Sequence, residues 1–255
     1  MLTPQIKAEI KQHALEAYPK ESVGVITPHG YKRLLNTSQS PTCEVRVPFK
    51  QVSEMIVRRQ ALAVVHSHPE PAHNAPTAVD MSSQMSCNVP FGIVWTNGQT
   101  AAEPFLWGDQ MKRQPLVGRP FQHGVTDCYA LIRDYCWLEH GVYLNDYARA
   151  WEWWRRDDDL YERNFAREHW REIPLEEIRQ GDAIFFHIRW SKNDQARAIN
   201  HAGIYLDGGV LLHHVASRSA FDPYALSRRE PLGRWRNRAV KAVRYVEKDL
   251  SARST

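Results

Sequence analysis

The sequence predicts two successive domains of the α+β class, and three observations carry that reading. The 255 residues suffice for two domains of ordinary size, each able to bury a core without disulfides. A basic stretch broken by Pro115, Gly118 and Pro120 has the punctuation of a joint. Residues suited to metal chemistry precede that joint, and residues suited to thiol chemistry follow it. The expected boundaries are 1–110 for the first domain, 111–118 for the linker and 119–255 for the second.

In the first domain Ile6, Ile10, Ala14 and Ala17 recur at helical spacing, which predicts a helix over 4–18 that Pro19 stops. Residues 22–26 read as a short strand closed by the Pro28-His29-Gly30 turn. The apolar run 61–65 is too short for a helix. It reads as a buried central strand that feeds directly into His66. Thr77 has the chemistry of a helix N-cap, with Asp80 in the first turn behind it. Residues 91–95 are a further strand, ahead of the Asn97-Gly98 turn signal.

In the second domain Thr126 is expected to cap a helix over 127–138, and the Trp- and charge-rich 147–170 to be helical. Residues 183–186, 201–206 and 210–213 read as strands, the last two joined by the Asp207-Gly208-Gly209 turn. Trp151, Trp153, Trp154 and Trp170 read as packing residues, and Asp157-Asp158-Asp159 as a solvated charge run. From Ser227 onward Arg228, Arg229, Arg234, Arg236 and Arg238 crowd together, as in a solvated strand and frayed terminus.

A hydrophobic content of 43% with 24% charged residues is that of a globular chain. A formal charge of +4 is too weak to predict a nucleic-acid partner. Cys43, Cys87, Cys128 and Cys136 form no C-x-x-C pair, which argues against a zinc knuckle or a dithiol redox motif. With no secretory signal pattern and no apolar run of bilayer length, synthesis in a cytoplasm and no membrane insertion are expected.

His66 and His68 stand two apart at a strand end, so both imidazoles leave the same face. Asp80 supplies a carboxylate from the first turn of the following helix. Two His and one Asp leave a fourth tetrahedral position for water, as in a catalytic zinc site. Glu21, just after the first helix, is placed to take a proton from that water. His73, between His68 and Asp80, reads as a bystander. Together Glu21, His66-Ser67-His68-Pro69 and Asp80 resemble the JAMM (MPN-type) metal-dependent isopeptidases, over about 1–108. The resemblance implies an α/β domain with zinc on His66, His68 and Asp80 and with Glu21 activating water. It also gives Thr77 a role in stabilising the tetrahedral intermediate. Thr77 stands where that family usually has Ser, and the segment from His68 to Asp80 is slightly longer than in the family.

Cys128 falls in the first turn of its expected helix, where unpaired N–H groups and the helix dipole favour a thiolate and a lowered pKa. The other three cysteines read as small buried hydrophobes. A nucleophilic Cys needs a base, and the base a group to orient it. His201 opens one strand and His213 ends the next, so antiparallel pairing brings the two rings side by side. His214 points to the opposite face and is the weaker candidate. Asp127-Cys128-Tyr129, Gln180-Gly181-Asp182-Ala183-Ile184-Phe185-Phe186, and His201-Ala202-Gly203-Ile204-Tyr205 with His213 resemble the NlpC-type cysteine peptidases. That resemblance covers about 119–216. It implies a papain-like α+β fold and cleavage of bacterial peptidoglycan stem peptides, typically between γ-D-glutamate and the diamino acid.

The order of the two resembles the K-type tail assembly proteins of lambda-like tailed phages across nearly the whole chain. This implies phage tail tip proteins as partners, and a virion tail tip as a destination after synthesis in the host cytoplasm. It implies work in tail assembly, in wall digestion during infection, or in both. The same resemblance covers an assembly factor that uses both folds for binding, with one or both sites idle.

Overall fold

The computed structural model describes residues 1–156, 159–189, 198–216 and 218–246. The chain forms two compact units, Met1–Arg113 and Gln114–Thr255. Among the described residues no helix is long and apolar enough to cross a membrane.

The first unit opens with α1 (Pro4–Ala17), capped by the Thr3 hydroxyl, which accepts from the Ile6 amide, with Pro4 at the favoured first position. The hairpin β1 (Val23–Thr27) and β2 (Gly30–Leu34) follows, then α2 (Phe49–Val57) and β3 (Ala63–Pro69). After β3 come α3 (Ala78–Cys87), β4 (Phe91–Thr96) and β5 (Phe105–Trp107). The sheet order is β2-β1-β3-β4-β5. Only β3 and β4 run parallel, with α3 as their crossover. Every residue of β3 is buried, as its unbroken apolar run requires. Ala63 and Val65 of β3 pack with Ile10 and Ala14 of α1, Ile26 of β1 and Val94 of β4.

The second unit runs β6 (Pro120–Gln122), α4 (Cys128–His140), a 3-10 turn at Trp153–Arg155, α5 (Leu160–Asn164), β7 (Trp170–Ile173) and β8 (Ala183–Phe186). It continues with β9 (His201–Leu206), β10 (Val210–His213), β11 (Phe221–Leu226), β12 (Arg228–Pro231) and β13 (Ala239–Tyr245). Six strands make an antiparallel sheet in the order β12-β10-β9-β8-β13-β7, and β11 pairs with β6. Its core joins Leu131 and Tyr135 of α4 to Phe185, Ala202, Ile204 and Leu212 of the sheet, with Trp153, Trp154 and Trp170 packed in.

Several expectations are corrected. The cap of α4 is Asp127, whose carboxylate accepts from the Ala130 amide, whereas the Thr126 hydroxyl donates to the Pro120 carbonyl. The stretch 147–170 is not one helix. It holds only the 3-10 turn and the short α5, and Trp170 starts a strand, because burying Trp153 and Trp154 in one core outweighs continuous helical pairing. The Arg-rich stretch is no frayed terminus up to Tyr245: β13 lies between β8 and β7, with Ala242 and Val243 fully buried. Cys43 is exposed and Cys87 half-buried, so only Cys136 is a buried hydrophobe. Asp159 caps α5. Asp157, Asp158 and the last residues from 247 on lie outside the described residues.

Candidate functional site

In the first unit β3 carries His66 and His68 on one face, and the capped start of α3 returns Asp80 to them. The two Nε2 atoms lie 3.1 Å apart. His66 Nε2 is 3.2 Å from Asp80 Oδ1, and His68 Nε2 is 3.3 Å from Asp80 Oδ2. Together they form a three-ligand group able to hold a metal ion. A tetrahedral ion with N and O ligands at ~2.05 Å has ligand–ligand edges of about 3.3 Å, so the three donors already stand at coordination spacing. His68 Nδ1 lies 2.8 Å from the His73 carbonyl. A carbonyl only accepts, so Nδ1 carries the proton and Nε2 keeps its lone pair for an ion. His73, expected to be a bystander, therefore contributes through its backbone.

Thr77 and Asp80 form a reciprocal capping box: Asp80 Oδ2 accepts from the Thr77 amide at 2.8 Å and from its hydroxyl at 2.7 Å. The hydroxyl is thus engaged in orienting the ligand. Glu21 is buried beside the cluster. Its neighbour Ser22 is tied to β3, with the Ser22 amide on Ser67 Oγ at 2.7 Å and the Ser67 amide on the Ser22 carbonyl at 2.9 Å. Burial pushes the Glu21 carboxyl up, and the attraction of His66 and His68 does not cancel that rise. Burial also acts on His66 and Asp80, but their mutual attraction prevails, raising the imidazole and holding the carboxyl well below its usual range.

In the second unit Cys128 is the first residue of α4, partly buried in a cleft of about 390 Å³ lined also by His201, Tyr161, Arg149, Trp151 and Phe121. The Cys128 sulfur lies 3.2 Å from the Tyr161 hydroxyl and is hydrogen-bonded to the Ala202 backbone at the start of β9. His201 Nε2 lies 3.0 Å from His213 Nδ1. The cap residue Asp127 takes two hydrogen bonds from Arg149, at 2.8 and 3.0 Å, and one from the Gly124 amide at 2.8 Å. Arg149 is fully buried, so this pair pins the start of α4 from inside the core. His214 is directed elsewhere, with Nε2 at 2.9 Å from the Ala225 carbonyl.

The thiol is not lowered, contrary to the helix-terminus argument. Burial, and then the Asp127 carboxylate, push Cys128 up to about 11, despite the Tyr161 and Ala202 contacts. Burial and the neighbouring His213 push His201 well below the ordinary imidazole value. The resting pair is therefore a neutral thiol and a neutral imidazole, which suits proton transfer in step with attack on a substrate. Two participants escaped the sequence. Tyr161 lies far along the chain from Cys128 in a stretch misread as helix. Glu230, 2.5 Å from His213 Nε2, sits among arginines, where its charge reads as part of a solvated run.

A cysteine at a helix start, packed against an antiparallel sheet that carries two contacting histidines, defines a papain-like peptidase arrangement. The NlpC/P60 family model matches residues 102–238, and the chain belongs to the NlpC/P60 family. Over 249 residues it is 31% identical to the tail tip assembly protein K of Escherichia phage N15, an alignment that spans 93% of each chain. It is 32% identical over 209 residues to the tail tip assembly protein K of Escherichia phage lambda, covering 77% of this chain and 92% of that one. A solved NLP/P60-family structure from Staphylococcus aureus overlaps 52% of this chain and 38% of its own, at 24% identity and a TM-score of 0.31.

Proposed function

We propose that this chain is a tail tip assembly protein with two peptidase sites, the second of which cuts bacterial cell-wall stem peptides. The observation that carries the reading is the contact between His201 Nε2 and His213 Nδ1 at 3.0 Å, in a unit whose cleft is lined by both His201 and Cys128. Cys128 is the nucleophile, His201 the general base and His213 the group that orients it. As the sulfur attacks the peptide carbonyl carbon, its proton passes to His201. The imidazolium then gives that proton to the departing amine, leaving a thioester. Water, deprotonated by the same imidazole, hydrolyses the thioester and restores the thiol. The amides at the start of α4 are suited to stabilising the developing oxyanion.

In the first unit, read as a JAMM-type domain over 1–110, His66, His68 and Asp80 would hold a zinc ion. Bound there, zinc would supply Lewis acidity to a water and a carbonyl oxygen. The donor spacing and the His68 proton on Nδ1 support that ligand set. Glu21 would accept the proton of the attacking water, and its raised carboxyl pKa brings it towards the range of a working base. Thr77 holds Asp80 in place. The resemblance to tail proteins extends the reading to tail tip partners, synthesis in the host cytoplasm, and action in assembly, in wall penetration, or in both.

Purified full-length protein on defined stem peptides, with product masses measured, tests the division of labour. Cleavage is expected to survive phenanthroline and to vanish in Cys128→Ala. His201→Ala should be nearly as severe and His213→Ala milder, with the nucleophile's loss amounting to several orders of magnitude in rate. Cleavage that chelation abolishes and Cys128→Ala leaves intact would reverse the assignment.

A further inference from the structure

We propose that Glu230 is a positioning residue for the thiol site: by accepting the Nε2 proton of His213, it selects the one tautomer chain that leaves His201 Nδ1 unprotonated and available to the Cys128 thiol. The proposal rests on the peptidase reading of the cleft. Glu230 does not line that cleft. It lies on the edge strand β12, opposite Leu211 of β10, in a register that puts Arg228 opposite His213.

Two arrangements of protons are open to the His201–His213 pair. In one, His213 carries its proton on Nε2 and accepts from His201 Nε2–H at Nδ1, so the lone pair of His201 sits on Nδ1. In the other, His213 Nδ1–H donates to His201 Nε2, and His201 Nδ1 then carries a proton and has no capacity to take one from sulfur. The neutral pair by itself does not favour the first arrangement. Glu230 does, because an ionised carboxylate only accepts. Its Oε1 is 2.5 Å from His213 Nε2, where a bare nitrogen would face a bare oxygen.

The carboxylate is itself held in the accepting state. Oε1 also accepts from Trp235 Nε1 at 3.0 Å and from Arg228 Nε at 3.2 Å, and Oε2 lies 3.7 Å from Arg234. Burial pushes the Glu230 carboxyl up, but His213 and Arg228 outweigh it and the group stays ionised. The Trp235 ring further packs edge-on against His213, with centroids 4.7 Å apart, and against His201 at 5.7 Å. One tryptophan thus restrains both rings while donating to the oxygen that sets their tautomer.

The tautomer can be read without any substrate, by 15N NMR of the full chain labelled in histidine, with Glu230→Ala and Glu230→Gln measured beside the wild type. In the wild type His213 is expected to be protonated at Nε2 and bare at Nδ1. Glu230→Ala should mix the two forms and lower kcat on stem peptides about 10- to 100-fold with little change in KM. Glu230→Gln keeps an acceptor oxygen facing Trp235 and Arg228, so it should retain the wild-type tautomer and most of the rate. A wild-type His213 protonated on Nδ1 would overturn the proposal even if Glu230→Ala fails to fold. So would a folded Glu230→Ala with unchanged histidine signals. A wild type that cuts no stem peptide would instead sink the peptidase reading, and the NMR result would still judge the role of Glu230.

Discussion

His201 and His213 touch through their ring nitrogens although they are not strand partners: the residue opposite His213 across the β9–β10 ladder is Gly203. His201 reaches His213 diagonally, two positions away, over a glycine that leaves the space empty. A Cβ on Gly203 would stand 2.8 Å from the His213 Cβ, 2.8 Å from Leu211 Cδ1 and 2.9 Å from the Leu212 carbonyl. None of these is the far end of a flexible chain, so the backbone or the His213 ring must move.

Gly203→Ala is therefore expected to cost about 1–3 kcal/mol as an overpacked core change, and to lower stem-peptide cleavage by shifting His213 off His201. Denaturant unfolding and cleavage assays on the same preparation check both parts. Wild-type stability and rate in this variant would mean that the diagonal contact is not tightly held.

Asp127→Ala removes the cap of α4 and leaves Arg149 buried with only Asp146 and the Tyr147 carbonyl as hydrogen-bond partners. Breaking one side of a buried, hydrogen-bonded ion pair costs about 3–5 kcal/mol, and a lost cap about 1 kcal/mol. The urea midpoint of the second unit, followed by tryptophan fluorescence, should fall accordingly. A shift worth less than about 1 kcal/mol would show that the Arg149 pair does not anchor the helix start.

One zinc ion per chain is expected after reconstitution, held by His66, His68 and Asp80. His68→Ala should lose it, whereas Glu21→Gln, which alters no ligand, should keep it and lose any hydrolysis by the first unit. Elemental analysis of the three proteins decides this, and zinc retained by His68→Ala would show that the ion sits elsewhere.

Burial holds His213 down to about 4, against the pull of Glu230. The unfolded chain's imidazole takes its proton near ~6.5. Between those values the unfolded state binds more protons than the native state, so stability rises with pH. His213 contributes fully above ~6.5, and that contribution is lost as pH falls towards 4, by roughly 3 kcal/mol. His66 is shifted the other way, so the test is a difference. His213→Asn should show a shallower loss of stability than the wild type over this window. Parallel pH–stability curves would mean that His213 is not held neutral by the fold.

By itself the sequence determined the local pieces. The H-x-H spacing put His66 and His68 on one strand face, Thr77 and Asp80 declared a helix start, and the Asp207-Gly208-Gly209 turn paired β9 with β10. Each of these depends on neighbours within one turn or one strand, where spacing translates directly into direction. Tertiary structure decided what depended on distant chain. Asp127 displaced Thr126 as the cap because the buried Arg149 guanidinium compensates its charge. The stretch 147–170 gave up its helix to bury Trp153 and Trp154. The arginine-rich stretch contributed a strand to the sheet because β8 and β7 leave a place between them. Cys128 sits at a helix start, which alone favours a thiolate, yet burial in the cleft raises its pKa. Glu230 met His213 only because β12 pairs with β10. Desolvation and cross-strand pairing are set by contacts between residues far apart in the chain, and no local pattern encodes them.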